Sequence, residues 1–537
     1  MKHVAVVLFA LVALAACSKT FQAGAGGRHP WTTPGVLRMG EPQEPDSLNL
    51  MYGHNAASDE ASVLLFSFLL RFDDNGNYIP DLATAVPTLA NGGISKDQRT
   101  ITLHLRKDAR WSDGQPLTAD DWLFTYRAVN NPRNNTKTRY GWQDISSARA
   151  PDAHTLVIVL KKPSVAALGI LTMGGAAYPP LPAHMLATLP DLNTAAFNSA
   201  PLSSGPFVLK AWNRGSSLIF EPNPYYFRGP AHLKQLIWKI IPDTNTLFSQ
   251  LQTHEIDVYR GVDENQISRL AHIDGISIMH KTIANWRHLG INTSVEQLRD
   301  VRVRQAIAYG IDWKRINDTV YHGYNQLARS DVYPQSWAAP SLPPYTYDPI
   351  RARTLLAEAG WKLGKDGILH RGDLAMHLTI SATSSAKTNE QSEVVMQSML
   401  KTLGFDVAIR NYPSTMMFAQ NGPLYTGKYD LEWSVDTNGP DPDNGGSWNS
   451  AFIPPKGANT SWLRDPVVDE TSAAAADTFD QAIRKRLYQR EEERLRDVVP
   501  AVYFYWETSY FGLNSDLHNF KPAAFLADAW NAWEWQI

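Results

Sequence analysis

Cysteine occurs once in this 537-residue chain, at position 17. A single thiol excludes an intrachain disulfide and any metal site built on paired cysteines. Basic charge is short as well: 50 Lys and Arg stand against 53 Asp and Glu, for a formal charge of −3. Phosphate backbones are held by concentrated Lys and Arg, and no basic run supplies them, so the composition excludes a nucleic-acid partner. After the N-terminus no segment approaches 18 consecutive apolar residues, so none reads as a membrane span. The motifs HExxH, GxSxG, Walker A and CxxC are missing. The 15 histidines are scattered without the close spacing that zinc prefers. The reading is therefore of a protein without cofactor or metal and not an enzyme. Paired carboxylates for glycoside hydrolysis stay open, because their separation is invisible in a sequence.

What is present begins at the N-terminus. "MKH" is a short basic start, followed by the uncharged apolar run "VAVVLFALVALAA". The run is too short for a stable anchor, for which about 20 residues are needed, and it ends in small residues. That pattern describes a signal for export over residues 1–16. Leu14-Ala15-Ala16-Cys17 is similar to the lipobox of bacterial lipoproteins, in which cleavage leaves the cysteine first and lipid is attached to its thiol. The plain alternative is a signal peptide with an incidental cysteine. Residues 17–34 then read as the lipidated residue and a Gly-rich tether, leading to a protein exported and anchored to a bacterial membrane.

The remaining length is too great for one core, and 44% hydrophobic with 19% charged residues is a globular composition. Acids open the apolar-periodic stretch "SDEASVLLFSFLLRF", which predicts a helix starting near Ser58. Asn75-Gly76 marks a turn, and Ile101, Leu103 and Leu105 alternate as a half-buried strand. Thr118 precedes acids and an amphipathic helix, as an N-cap should. "GPFVLKAW" with "SSLIFEPNP" predicts a hairpin, and "RHLGINTS", "FDVAIRNY" and "AVYFYW" predict strands. "DQAIRKRLYQREEERLRDVVP" predicts a long charged helix. Helices and strands alternate throughout, which gives a large α/β (mixed α+β) protein.

Six stretches then match a known pattern in order: "LLFSFLLRFDDNGNYIPDLA" (64–83), "ITLHLRKDARWSDGQPLTADDWLFTY" (101–126), "SGPFVLKAWNRGSSLIFEPNPYYF" (204–227), "IPDTNTLFSQLQTHEID" (241–257), "LGINTSVEQLRDVRVRQAIAYGIDWKRI" (289–316) and "YDPIRARTLLAEAGW" (347–361). As a set they resemble the extracellular solute-binding proteins of family 5, the dipeptide-, oligopeptide- and nickel-binding lipoproteins of ABC importers. The resemblance implies a bilobal periplasmic-binding-protein-like fold with an extra inserted domain, the three-domain cluster C type. Domain I (35–80, 200–285 and 500–537) and the inserted domain II (81–199) would form one lobe, and domain III (286–499) the other. It implies a monomer that captures a peptide or other small solute in the cleft and presents it to the transmembrane subunits of an ABC permease. The non-peptide alternatives are an oligosaccharide, an opine, haem or a nickel chelate; a sensing role is a further alternative.

In peptide-binding members, an Asp after a Trp and shortly before Asp-Pro pairs with the ligand's α-ammonium. "KYDLEWSVDTNGPDPDNGGSWN" (428–449) carries that pattern with two extra residues. Anchoring on Trp433 puts Asp436 at the amine-binding position, whereas anchoring on Asp441-Pro442 puts Asn438 there. Ser434 and Val435, in the strand before Asp436, would offer backbone to an extended peptide. On the facing lobe the resemblance brings His54, Asn55 and Ala56 forward, and Trp286, at the crossover, would border the cleft. Alternation sets Asp430, Glu432, Ser434 and Asp436 on one strand face, as either a cleft lining or a solvated surface.

Overall fold

The computed structural model describes residues 27–173, 177–384, 387–525 and 527–537; Cys17 and the N-terminal signal lie outside the described residues. One mixed sheet of 11 strands runs through both lobes. Ten of its strands follow in chain order: β1 (Val36–Glu41), β2 (Phe207–Asn213), β3 (Ser217–Pro222), β4 (Gln235–Ile240), β5 (Val258–Arg260), β6 (Ile276–Ile291), β7 (His377–Ser381), β8 (Asp406–Ile409), β9 (Leu431–Thr437) and β10 (Ala501–Asn514). Their spatial order is β8-β7-β9-β6-β10-β5-β1-β4-β3-β2, with Gln326–Leu327 pairing separately on β10.

Two strands join the lobes. β6 has 16 residues and β10 has 14, and they pair antiparallel. At one end Ile276–Thr282 meet Thr508–Asn514, and β10 continues onto β5 of the first lobe. At the other end Trp286–Gly290 meet Ala501–Trp506, and β6 continues onto β9 of the second lobe. The register shifts between Thr282 and Trp286. A bulge bends and twists a strand pair, which makes Ile283–Asn285 the candidate hinge. The sequence pattern had predicted only the last third of β6. His280, Lys281, Thr282 and Asn285 break its alternation, and pairing with β10 holds this stretch extended all the same.

Three strands, Thr100–His104, Ile145–Asp152 and Thr155–Leu160, form a separate small sheet. Ile101 and Leu103 are buried there, as their alternation requires, and join Trp111, Trp122 and Trp142 in the core cluster that includes Leu37 and Met39 of β1. Leu289, Ile307, Trp433 and Phe504 belong to a second core inside the other lobe. Helix α1 (Ala56–Leu65) begins two residues before Ser58, because Asn55 Oδ1 accepts the Ser58 N–H at 2.9 Å and so caps it. Helix α2 (Ala119–Asn130) starts on the predicted cap, with Thr118 and Asp121 forming a capping box.

Contacts outside β6 and β10 also tie residues 98–165 to residues 476–479. Gln98 Oε1 accepts the Phe479 N–H at 2.6 Å, Val165 N–H donates to the Ala476 carbonyl at 3.1 Å, and Lys162 pairs with Asp477 at 2.9 Å. The Asn75-Gly76 turn is docked at the hinge: Lys281 Nζ donates to Asn75 Oδ1 at 3.0 Å, and Ala524 N–H to the Asp74 carbonyl at 3.1 Å. Gly76 sits at φ +84°, and a Cβ there would lie 2.4 Å from Phe525. Only glycine allows both the turn and this approach. No helix among the described residues is long and apolar enough to cross a membrane.

Candidate cleft site at the end of β9

β9 is paired on both edges only at its start. On one side Leu431–Thr437 run antiparallel to Ile291–Asn285 of β6. On the other, β7 pairs with Leu431 and Glu432 and then stops. Among the described residues no strand pairs with 433–437 on that edge. Strand backbone without a paired neighbour is the feature to which an extended chain can add.

The side chains along β9 divide as alternation demands. Leu431 and Trp433 enter the second core, where Trp433 is 1% exposed and lies 5.3 Å from Phe504, ring to ring. Val435, half-buried, follows on the same face. Glu432 and Ser434 are buried on the other face, so most of the acidic stripe is neither solvated nor lining a cleft. Only Asp436, at its end, is exposed. Enough protein still surrounds the Asp436 carboxyl that burial pushes it above the usual carboxylate range; His288 opposes the rise and Glu432 adds to it. Asp436 accepts no hydrogen bond and makes no ion pair among the described residues. A carboxylate reached by solvent, desolvated in part and unpaired has capacity for a cation.

Asn438 is engaged differently. Its Oδ1 accepts the Trp286 Nε1–H at 2.9 Å, and its Nδ2 donates to the Asp331 backbone carbonyl. Trp286 is 1% exposed and packs 4.4 Å from the His288 ring. His288 lies 3.5 Å from Glu432. Burial lowers the His288 pKa, but Glu432 and Asp436 outweigh it and the net shift is upward. In the first lobe, Asn55 is fully used as the α1 cap, with Nδ2 donating to the Glu44 carbonyl at 2.9 Å. His54 and Ala56 beside it are exposed, and Asp46 accepts the His54 N–H at 3.1 Å.

Several residues near the cleft were not readable from sequence. Burial pushes the Tyr78 and Tyr140 phenols up; the charge of Asp441 adds to the rise at Tyr78, opposed by Arg484, and those of Asp443, Asp144 and Asp441 add to it at Tyr140. Asp441 is held by Arg484 at 2.8 Å (Nη1 to Oδ2) on the helix that sequence had marked as charged. That helix, labelled α5 once α3 (Val301–Gly310) and α4 (Pro466–Ala476) are counted, spans Gln481–Val498 and buries Arg484, Tyr488, Glu491, Glu492 and Leu495. Glu492 shares Asn444 with Asp331, at 3.0 and 3.3 Å, and Asp331 also accepts the Trp448 Nε1–H at 2.7 Å. Burial, with the charge of Asp331, pushes Glu491 and Glu492 well above the usual carboxylate range. The signal was there: Tyr488, Glu491, Glu492, Leu495 and Val498 keep one helical face, and the two acids fall within it. No group of three or more His, Asp or Glu among the described residues is arranged to hold a metal ion.

Comparison with known proteins gives one answer. The family described as "Bacterial extracellular solute-binding proteins, family 5 Middle" matches residues 77–454. The oligopeptide-binding protein AppA of Bacillus subtilis is 26% identical over 531 residues, covering 96% of this chain and 95% of that protein. The dipeptide-binding protein of Escherichia coli is 27% identical over 488 residues, covering 85% and 86%. Among solved structures, NikZ from Campylobacter jejuni in complex with Ni(L-His) aligns with a TM-score of 0.75 at 27% identity, covering 94% of this chain and all of that one. AppA from Bacillus subtilis in complex with a nonapeptide aligns with a TM-score of 0.72 at 25% identity, covering 94% and 99%.

Proposed function

This chain belongs to the bacterial extracellular solute-binding proteins of family 5, and on that premise we propose that it captures a peptide between its lobes and delivers it to an ABC permease. The observation that carries this reading is the open edge of β9 ending at the unpaired carboxylate of Asp436. The peptide adds backbone to backbone along Ser434 and Val435, which is indifferent to its side chains, and its α-ammonium pairs with Asp436. Asn438 is the weaker candidate for that pairing, since both ends of its amide are already bonded and it lacks full charge. Trp286 and Trp433, both buried, shape the ground beneath the site and offer the peptide little indole surface. His54 and Ala56 offer an exposed loop on the facing lobe, with Asn55 holding its conformation.

Closure needs no chemistry. A peptide that binds the closed form better than the open one shifts the population toward it, and the hinge at Ile283–Asn285 absorbs the change. Small-angle scattering should report compaction on adding a cognate peptide, and native mass spectrometry of the purified protein an intact passenger. No compaction with any candidate, or steady conversion of the passenger, would overturn the reading. A second reading, a nickel chelate in place of the peptide, is favoured by the likeness to the NikZ complex, with a TM-score of 0.75 against 0.72 for the AppA complex. The mass of the passenger separates the two.

Cys17 in this reading carries lipid that holds a monomeric receptor at the membrane, near its permease. Cys17→Ser is expected to move the protein from the membrane to the soluble fraction, without loss of cargo affinity. An unchanged membrane fraction would remove the anchor from the proposal.

A further inference from the structure

A cavity of about 730 Å³ opens at the end of the second lobe remote from the hinge. Its wall includes Thr293 and Ser294, just beyond the end of β6. Ten residues separate Ile283 from Thr293, so the cavity lies on the order of 30 Å from the hinge by strand rise. It is separate from the cleft at Asp436.

The chemistry of the wall is basic. Arg299, Arg304, Arg464 and Arg494 line it, against Asp465 and Asp497. Asp465 is already spent on Arg494, which donates to its Oδ2 from Nε at 2.9 Å and from Nη2 at 2.7 Å. Arg304 is buried with no carboxylate partner; its guanidinium donates to the carbonyls of Leu298, Arg299, Val498 and Val499. Burial lowers its pKa to about 10. Arg464 is exposed and makes no hydrogen bond or ion pair among the described residues. Arg299 makes only a 3.4 Å bond to the Ser294 carbonyl. Arg299 and Arg464 thus bring guanidinium groups without a carboxylate partner among the described residues to one concavity.

The rest of the wall is apolar and constrained. Val301, Leu463, Val498 and Trp462 contribute it. Trp462 holds φ at +57°, an uncommon backbone conformation for a large side chain, and its indole N–H is buried with no acceptor. The volume falls within the range of small-molecule sites and far exceeds a bare inorganic anion.

We propose that this groove binds an organic phosphate, with Arg299 and Arg464 holding the phosphate and Trp462 and Leu463 packing on its organic part. Guanidinium is suited to phosphate because its planar fork donates two parallel hydrogen bonds. The phosphate belongs either to a soluble ester or to a phospholipid headgroup of the membrane.

The test uses the full chain carrying Cys17→Ser, so that an anchor does not obscure membrane contact. Glycerol 3-phosphate is titrated by calorimetry at low salt, and phosphatidylglycerol vesicles are used in a sedimentation assay. Saturable binding of the ester alone assigns the site to soluble esters, and binding of vesicles alone assigns it to headgroups. In either arm, Arg299→Ala with Arg464→Ala is expected to weaken binding about a hundredfold, roughly tenfold for each charge-assisted contact. Arg299→Lys with Arg464→Lys should recover part of it, and cargo affinity at the cleft should not move. Both residues are exposed, so the fold should survive their replacement. Absence of binding in both arms overturns the proposal, as does binding that the double alanine variant leaves unchanged.

Discussion

Asp436→Ala is expected to cost about 3–5 kcal/mol of cargo affinity, because it leaves a desolvated ammonium in the closed cleft without its counter-charge. That is roughly two to four decades in Kd. Stability should barely change, since the carboxylate accepts no bond from the chain. The pH dependence follows from the raised pKa. In the empty cleft, burial favours the protonated form of Asp436. A bound ammonium favours the ionised form, so binding should release protons and strengthen as pH rises above the usual carboxylate range. Calorimetry in two buffers of different ionisation enthalpy measures the released protons directly. An affinity for the co-purifying peptide within twofold of wild type, with no change in proton release, would take Asp436 out of the site. Asp436→Asn separates charge from shape: it keeps the volume, and most of the loss should remain.

Arg260→Met should produce the largest loss of stability. Arg260, at the end of β5, pairs with Glu41 of β1 (2.5 Å), Glu60 of α1 (2.8 Å) and Asp528 of the C-terminal segment (2.9 Å). Glu60 in turn accepts the Ala529 N–H at 2.7 Å. One guanidinium thus joins four segments that are far apart in the chain. Removing it strands buried carboxylates, a change worth about 3–5 kcal/mol at neutral pH. In a protein of this size that corresponds to a fall in Tm of about 3–5 °C. Burial already pushes Glu60 up to about 7, against the pull of Arg260 and with Asp528 and Glu41 adding to the rise. A carboxyl raised above its unfolded value of 4.5 makes folding take up a proton, so its contribution is complete below that value and lost as pH rises through about 7. Without Arg260 the Glu41 and Glu60 carboxyls rise further. The deficit of the variant should therefore be larger at pH 8 than at pH 5. Equal deficits at the two pH values would show that lost packing, not charge, sets the cost.

Local signals account for what was legible. The Thr118 cap, the Ile101–Leu103 alternation and the hairpin of β2 and β3 each depend on residues within a few positions of one another. Asp436 stood out because Trp433, Asp441 and Pro442 lie close to it in the chain. The two candidates for the amine position could not be ranked from that stretch, since the engagement of Asn438 depends on Trp286 and Asp331, more than a hundred positions away. The charged helix α5 was placed along the chain, but burial of Glu491 and Glu492 is decided by what packs on that face.

The amino-acid order by itself determined the class of fold, most of the elements and the family, because periodicity, caps and turn residues act over a few positions and persist in any context. Tertiary structure alone decided where β6 and β10 bend, which edge of β9 stays open, and which charges are left over once Arg260 and Arg494 have taken their partners. Those outcomes are set by pairing between distant segments. Whether a carboxylate or a guanidinium is free for a ligand depends on all the groups that come near it, and only folding brings them there.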